Sequence, residues 1–224
     1  MPEIVIFLGP SLSQDEAERI LKAIYRPPAK RGDLAKAVDD GARVIGLIDG
    51  IFFEESAVAH REILYAIKKK VRVIGASSMG ALRSAELDVL GMEGVGEIYQ
   101  LYKDGILVSD DEVALVFDPD TGIALSEPLI NIRATLNHAE EEGAIDRTTH
   151  ISLLEAASSL FYPERTYKKI HEMVKGKISP SILEKFCQFI KSERIDLKKQ
   201  DAVRALEYIR DQVLPQIRPQ NNST

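Results

Sequence analysis

Three short apolar runs, each followed by a segment of helix-forming residues, constrain the fold of this chain more than any other feature. The runs are rich in Val and Ile and lie at Glu3–Leu8, Ala42–Ile48 and Val71–Gly75. Apolar runs of this length are typical of strands that are buried on both faces of a sheet. Strands that alternate with helices predict a parallel sheet covered by helices on both faces, so we expect an α/β fold.

The segments between and after these runs predict the helices. Ser13 and Glu16 form a capping box, which predicts a helix to about Ala23. Asp33 can cap a second, short helix that ends near Gly41. An apolar stripe predicts a third helix from about Glu55 to Lys70, and a fourth is expected to start after Ser78 and to end at Gly91. This alternation of strands and helices is typical of a Rossmann-like parallel sheet sandwich.

The second half of the chain has a different pattern. The segments Val113–Phe117 and Ile123–Leu125 flank a turn-forming stretch and predict a β-hairpin addition. From Pro128 onward the pattern is helical. We therefore expect an α/β core over residues 1–126 and a helical C-terminal region over 127–224 that packs on the core.

Composition excludes several classes of protein. The chain of 224 residues is 45% hydrophobic but has no apolar stretch long enough to span a membrane, and its N-terminus lacks the basic residues of a signal peptide. Its single cysteine excludes an internal disulfide and a cysteine-based zinc site. A net charge of −6 with interspersed signs argues against nucleic acid as a partner. We expect a cytoplasmic protein with no metal site.

The residues around Ser78 resemble a nucleophile elbow. Ala76 and Gly80 place small residues two positions before and two after Ser78, at the passage from a strand to a helix. Small neighbours permit a turn sharp enough to expose the serine oxygen, and the helix start supplies free N–H groups. Ser78 is therefore a candidate nucleophile, although a serine at this position can equally serve as a helix cap.

Other polar residues are expected at the same sheet edge, because the carboxyl ends of parallel strands meet there. His60 on the neighbouring helix would act as general base and Asp49 would orient it, which makes a triad with Ser78. The N–H of Met79, with Gly80 behind it at the helix start, would be one oxyanion donor, and the N–H of Ser11 or Gly50 the second.

Structural explanations remain open for several of these residues. His60 fits a core histidine, Arg83 and Glu86 fit a salt bridge within one helix turn, and Asp110–Glu112 fits a solvated turn as well as a cation site. The carboxylate behind His60 could also be Asp33 or Glu62. The chain has neither the dinucleotide-binding glycine pattern nor a P-loop, so we expect no cofactor of its own.

Seven short strings follow one another over about residues 4–135. They are Phe7-Leu-Gly-Pro-Ser11, Arg26-Pro-Pro-Ala-x-x-Gly-Asp33, Gly46-Leu-Ile-Asp-Gly-x-Phe52, His60-Arg-Glu-Ile-Leu64, Gly75-Ala-x-Ser-Met-Gly-Ala-Leu-Arg-x-Ala-Glu-Leu87, Asp110-Asp-Glu-Val-Ala114 and Asn131-x-Arg133. In order and spacing, this series resembles the TfuA-like family.

The resemblance implies a function in peptide or protein backbone thioamidation. TfuA-like proteins are partners of YcaO enzymes, which use ATP and Mg to activate a backbone amide so that sulfide replaces its oxygen. The substrate is a ribosomally made peptide, or a protein such as methyl-coenzyme M reductase in which a thioglycine forms. ATP and Mg are thus expected on the YcaO partner.

Three hypotheses follow for this chain. In the first, Ser78 releases sulfide from the C-terminal thiocarboxylate of a small ubiquitin-like sulfur carrier, whose acidic groups are held by Arg26, Lys30 or Arg31. Arg83 and Glu86 would border this site. In the second, the chain is a non-catalytic docking or allosteric partner of the YcaO enzyme. In the third, Cys187 carries a persulfide.

Overall fold

The computed structural model describes residues 3–52, 56–119 and 121–217. Its strands are β1 Glu3–Phe7, β2 Ile24–Arg26, β3 Ala42–Leu47, β4 Arg72–Gly75 and β5 Glu93–Gly94. Its helices are α1 Gln14–Ile20, α2 Asp33–Asp39, α3 His60–Lys68, α4 Met79–Leu87, α5 Glu97–Lys103, α6 Leu129–Glu141, α7 Arg147–Ser159, α8 Tyr167–Val174, α9 Pro180–Ser192, α10 Leu197–Tyr208 and α11 Leu214–Ile217. None of the helices in these described ranges is long and apolar enough to cross a membrane.

The chain divides into two compact units. The first, here called the sheet unit, comprises Met1–Asp110 and Lys198–Thr224, and the second, the helical unit, comprises Asp111–Leu197. This grouping differs from the sequence-based division after residue 126. Residues 111–126 group with the helices, and the C-terminal segment returns to the sheet unit.

The sheet unit is built on five parallel strands in the order β2-β1-β3-β4-β5. The predicted α/β fold with a parallel sheet is confirmed. Two of the strands were not predicted. β2 has three residues directly before Pro27, and β5 has only two residues, so neither produces a periodic apolar signal.

Each face of the sheet carries its own apolar core. Successive strand residues point to opposite faces, so that Ile6 belongs to the core covered by α1 and α10, whereas Val5 belongs to the core covered by α2 and α3. Both residues have no exposed surface. Burial on both faces explains why the strands are apolar at nearly every position.

A buried carboxylate joins α10 to α5 within the sheet unit. Asp201 on α10 accepts hydrogen bonds from the backbone N–H groups of Glu97 and Ile98 at the start of α5, at 3.0 and 2.8 Å. Burial raises the pKa of Asp201, and the two backbone hydrogen bonds oppose that shift. A distant residue therefore caps α5, which has no side-chain cap of its own.

The helical unit contains α6 to α9 around a third core that includes Leu136, Leu153 and Phe186. The predicted hairpin is present as a turn with a single antiparallel bridge between Phe117 and Ala124 rather than as two strands. Asp120 in that turn lies outside the described residues.

The predicted helix boundaries hold approximately. Ser13 is the N-cap of α1, and its side-chain oxygen accepts the Glu16 N–H at 3.4 Å while its hydroxyl donates to the Glu16 carboxylate at 2.8 Å. The predicted start of α3 at Glu55 lies outside the described residues, and the observed helix begins at His60. α4 ends at Leu87, and a 3₁₀ turn over Asp88–Leu90 completes the segment that we predicted to be helical up to Gly91.

Candidate functional site

The candidate site lies where the chain leaves the carboxyl ends of β1, β3 and β4. β1 is flanked by β2 on one side and β3 on the other, so the connections after β1 and β3 diverge at this point of the sheet. Ligands of open α/β sheets bind at such switch points. The segments that follow the three strands carry Ser11, Asp49 and Ser78, as the sequence predicts.

Asp49 connects two of these segments. Its carboxylate accepts hydrogen bonds from the backbone N–H groups of Gly9 and Ser11, at 2.9 and 3.1 Å, and from the Ser11 hydroxyl at 2.7 Å. The Asp49 residue is only 2% exposed. These three bonds engage both carboxylate oxygens, and none of them joins Asp49 to His60. Asp49 is thus not the hydrogen-bond partner that we expected for His60.

Ser77 extends this chain of hydrogen bonds to the third segment. Its hydroxyl donates to the Ser11 hydroxyl at 2.9 Å. The residue is fully buried and has a φ of +66°, a left-handed conformation that is unfavourable for any residue other than glycine. In the sequence, Ser77 stands out only as the polar neighbour of Ser78 at the end of a strand, and no role was predicted for it.

Ser78 occupies the N-cap position of α4, but its side chain makes no capping hydrogen bond. Among the described residues, the only fully buried side-chain oxygen or nitrogen without a partner is the Tyr167 hydroxyl, in the helical unit. The Ser78 oxygen also lacks a described partner, and it therefore keeps some contact with solvent although the residue is 2% exposed. The Ser78 hydroxyl is therefore not engaged as a helix cap.

The glycine two positions after Ser78 is required by packing. A Cβ atom at Gly80 would lie 1.7 Å from the backbone oxygen of Leu47, so only glycine lets α4 start this close to β3. The Gly80 N–H donates to the Ile48 oxygen at 3.4 Å. The sequence pattern around Ser78 thus reflects the close approach of a helix to a strand.

Two of the predicted oxyanion donors remain free and one does not. The Ser11 N–H is taken by Asp49. Neither the Met79 N–H nor the Gly50 N–H makes a hydrogen bond with a described residue. These two residues lie against each other, since a Cβ on Gly50 would come within 2.9 Å of the Met79 Cβ.

The carboxylate that partners His60 is Glu86. His60 Nε2 lies 2.7 Å from Glu86 Oε2, and no hydrogen bond joins the imidazole to Ser78. Glu62 is excluded as the partner because its buried carboxylate accepts the backbone N–H groups of three other residues, Gly32, Leu34 and Ala59. Asp33 instead accepts the Lys30 N–H. The side chain of His60 is 52% exposed, so it is not a core histidine.

Arg83 completes this second cluster. Its Nη1 lies 2.6 Å from Glu86 Oε2, and its Nε donates to the Val58 oxygen at 2.9 Å. The salt bridge that we considered within α4 is therefore formed, and it includes His60. A cleft of about 540 Å³ lies beside it, lined by Arg31, Phe52, Ala57, Val58, Ala59, His60, Arg83 and Asp110.

The structure places the remaining candidate residues in different surroundings. Arg26 pairs with Asp40 at 3.1 Å, whereas Arg31 lines the cleft. Glu112 pairs with Arg133 in the helical unit. Within the described ranges no three His, Cys, Asp or Glu residues are grouped so that they could hold a metal ion. Cys187 on α9 is a partly exposed free thiol.

The described part of the chain is an α/β protein with a doubly wound parallel sheet. Its candidate active site lies at the sheet edge, where a serine hydroxyl at a strand-to-helix turn makes no capping hydrogen bond. A family model described as TfuA-like protein matches residues 49–166, more than half of the chain. The chain belongs to the TfuA-like family. The match includes Asp49, His60, Ser78 and Glu86. The search of curated proteins found no match.

Proposed function

We propose that this chain is an accessory protein of YcaO-dependent backbone thioamidation and that it releases sulfide from a thiocarboxylated ubiquitin-like carrier. Membership of the TfuA-like family supports the partnership with a YcaO enzyme. The observation that carries the chemical part is that the Ser78 hydroxyl and the N–H of the next residue, Met79, have no hydrogen-bond partner among the described residues. A nucleophile and an oxyanion donor are the two groups that acyl transfer requires at one carbonyl.

The reaction would proceed through an acyl-enzyme. The Ser78 oxygen attacks the thiocarboxylate carbon, the serine proton passes through a base to the sulfur, and the carbon–sulfur bond breaks to release hydrosulfide. Water then hydrolyses the ester, which returns the Ser78 hydroxyl and leaves the carrier with an ordinary carboxylate. The N–H groups of Met79 and Gly50 would stabilise the negative oxygen in both steps.

His60, oriented by Glu86, is the base in this proposal. The imidazole is half exposed and pairs with Glu86 in the structure, so it has to approach Ser78 when the carrier binds. Catalytic hydrogen bonds often form only in the substrate complex. The same cleft offers Arg31 for acidic groups of the carrier.

Sulfide release from the purified chain tests this proposal directly. The chain is incubated with a thiocarboxylated carrier, and free sulfide is measured together with the carrier mass. We expect release by the wild type and loss of release in Ser78→Ala and His60→Ala. Ser84→Ala is the matched control, because Ser84 is a buried serine of the same helix whose hydroxyl binds the Gly80 oxygen. Sulfide release at the wild-type rate by Ser78→Ala would show that Ser78 is not the nucleophile.

A non-catalytic docking role is the second candidate. The observation that favours it is that Ser78 is 2% exposed while His60 is bonded to Glu86. It predicts that the wild type releases no sulfide from the carrier but still stimulates the YcaO reaction when sulfide is added. A Cys187→Ser variant tests the persulfide route in the same assay, since full activity of this variant would exclude it.

A further inference from the structure

Three buried side chains join the segments that follow three strands of the sheet unit. We call Asp49, Ser11 and Ser77 the elbow clamp. Ser77 donates to Ser11 at 2.9 Å, and Ser11 donates its only hydroxyl proton to Asp49 at 2.7 Å. Because a carboxylate can only accept, the direction of both bonds is fixed. The three residues are at most 3% exposed, so water does not compete for these bonds.

The clamp acts on the residue directly before Ser78. Ser77 and Lys70 are the two non-glycine residues with a positive φ in the described part of the chain, and Lys70 lies in an exposed turn. A buried serine holds such a conformation only if the surrounding structure compensates for it. The Ser78 N–H donates to the Ala76 oxygen at 2.8 Å and closes the turn around Ser77, and the Ser77 hydroxyl holds that turn through its bond to Ser11, its one hydrogen-bond partner among the described residues.

We propose that the elbow clamp positions the Ser78 hydroxyl and the Met79 N–H for the reaction, and that Ser11 and Ser77 are positioning residues. This inference rests on the proposed sulfide-releasing function. The conformation at Ser77 sets the direction in which the chain enters α4, so that loss of the clamp moves the nucleophile and the oxyanion donor together. Displacements of about 1 Å in an active site can lower a rate about 100-fold.

Two substitutions at Ser77 separate the hydroxyl from the backbone conformation. Ser77→Gly keeps a positive φ accessible but removes the hydroxyl, whereas Ser77→Ala removes the hydroxyl and disfavours the conformation. If the hydroxyl positions Ser78, both variants and Ser11→Ala lower kcat for sulfide release about tenfold or more, with KM within about twofold of the wild type. A role limited to relieving backbone strain predicts instead that Ser77→Gly is as active as the wild type.

The double variant Ser11→Ala/Ser77→Gly tests whether the two residues act as one unit. Since both changes break the same hydrogen bond, the double variant should lose no more activity than the worse single variant. Two results would overturn the inference while leaving the sulfide-releasing function intact. In one, the activity losses of the two single variants multiply in the double variant. In the other, the single variants behave like the Ser84→Ala control.

Hydrogen–deuterium exchange of residues 76–82 gives a readout that does not depend on activity. We expect faster exchange at the start of α4 in Ser77→Gly and Ser11→Ala than in Ser84→Ala, with each variant still unfolding cooperatively. If the wild type releases no sulfide, the proposed function fails and exchange alone decides whether the clamp orders this turn. Unchanged exchange in both clamp variants would overturn the inference.

Discussion

His60 Nε2 and Glu86 Oε2 lie 2.7 Å apart, although 26 positions separate the two residues in the chain. Glu86 also accepts a hydrogen bond from Arg83, so one carboxylate binds an imidazole from α3 and a guanidinium from α4. A carboxylate that bonds one ring nitrogen sets the tautomer and the orientation of a histidine. In the proposed mechanism, Glu86 thus orients His60 as the base.

Glu86→Gln should lower the rate of sulfide release about 10- to 100-fold, because a neutral amide does not stabilise a protonated His60 as the carboxylate does. The measurement is kcat with a thiocarboxylated carrier. Glu141→Gln, an exposed position on α6, is the control and should release sulfide at the wild-type rate. A Glu86→Gln variant with wild-type kcat would remove this pair from the mechanism.

Arg31→Gln should raise the KM for the carrier about tenfold while kcat stays within about twofold, since a cleft cation contributes to binding rather than to the chemical step. The difference from the wild type should shrink at high salt, because exposed charges are screened. Arg43→Gln, at an exposed position on β3, serves as the control. An unchanged KM would show that the carrier does not use this cleft.

Gly80→Ala should destabilise the fold, because the new Cβ would lie 1.7 Å from a backbone oxygen that cannot move without shifting β3. Overpacking of this kind costs about 1–3 kcal/mol or more. Ala85→Gly in the same helix provides the comparison and should cost about 1 kcal/mol through helix propensity alone. Urea unfolding measures both, and equal losses would contradict the steric explanation.

Asp201→Ala should cost about 1–3 kcal/mol for each backbone N–H that loses its partner at the start of α5. Both N–H groups bond this carboxylate, and Asp201 has no exposed surface. Asp211→Ala, on an exposed carboxylate nearby in sequence, should change the unfolding midpoint little. Protection of the Glu97 and Ile98 amides against hydrogen exchange should fall in Asp201→Ala only.

Lowering the pH should lower the free energy of unfolding, because it protonates Glu93 on the edge strand β5. Burial alone would raise the pKa of Glu93, but hydrogen bonds from Arg72 and Tyr208 outweigh it and hold the pKa below its usual range. A lowered carboxyl pKa stabilises the fold at neutral pH, and this contribution is lost as the pH falls from about 4.3 through the lower folded value.

Glu93→Gln should therefore be less stable than the wild type at pH 7, by an amount on the order of 1 kcal/mol for a partly exposed pair. The two proteins should converge near pH 2, where both carry a neutral side chain. Urea unfolding at both pH values measures the difference. A gap that stays constant with pH would assign the effect to packing instead of charge.

The sequence by itself determined the parallel α/β class, the three central strands and most helix positions. These features depend on apolar periodicity and on helix caps. Residues close together in the chain set both, through their backbone preferences and their tendency to be buried. The glycine at position 80 was likewise visible as part of the pattern around Ser78, although its reason, the approach to Leu47, was not.

Only the tertiary structure decided which polar groups meet. The bonds between Ser11 and Asp49, Ser77 and Ser11, and His60 and Glu86 span 38, 66 and 26 positions of the chain. Several carboxylates are equally plausible partners for a histidine until the packing of α3 against the sheet places one of them within bonding distance. Hydrogen bonds act over about 3 Å, so pairing depends on the relative placement of whole elements, which no local pattern contains.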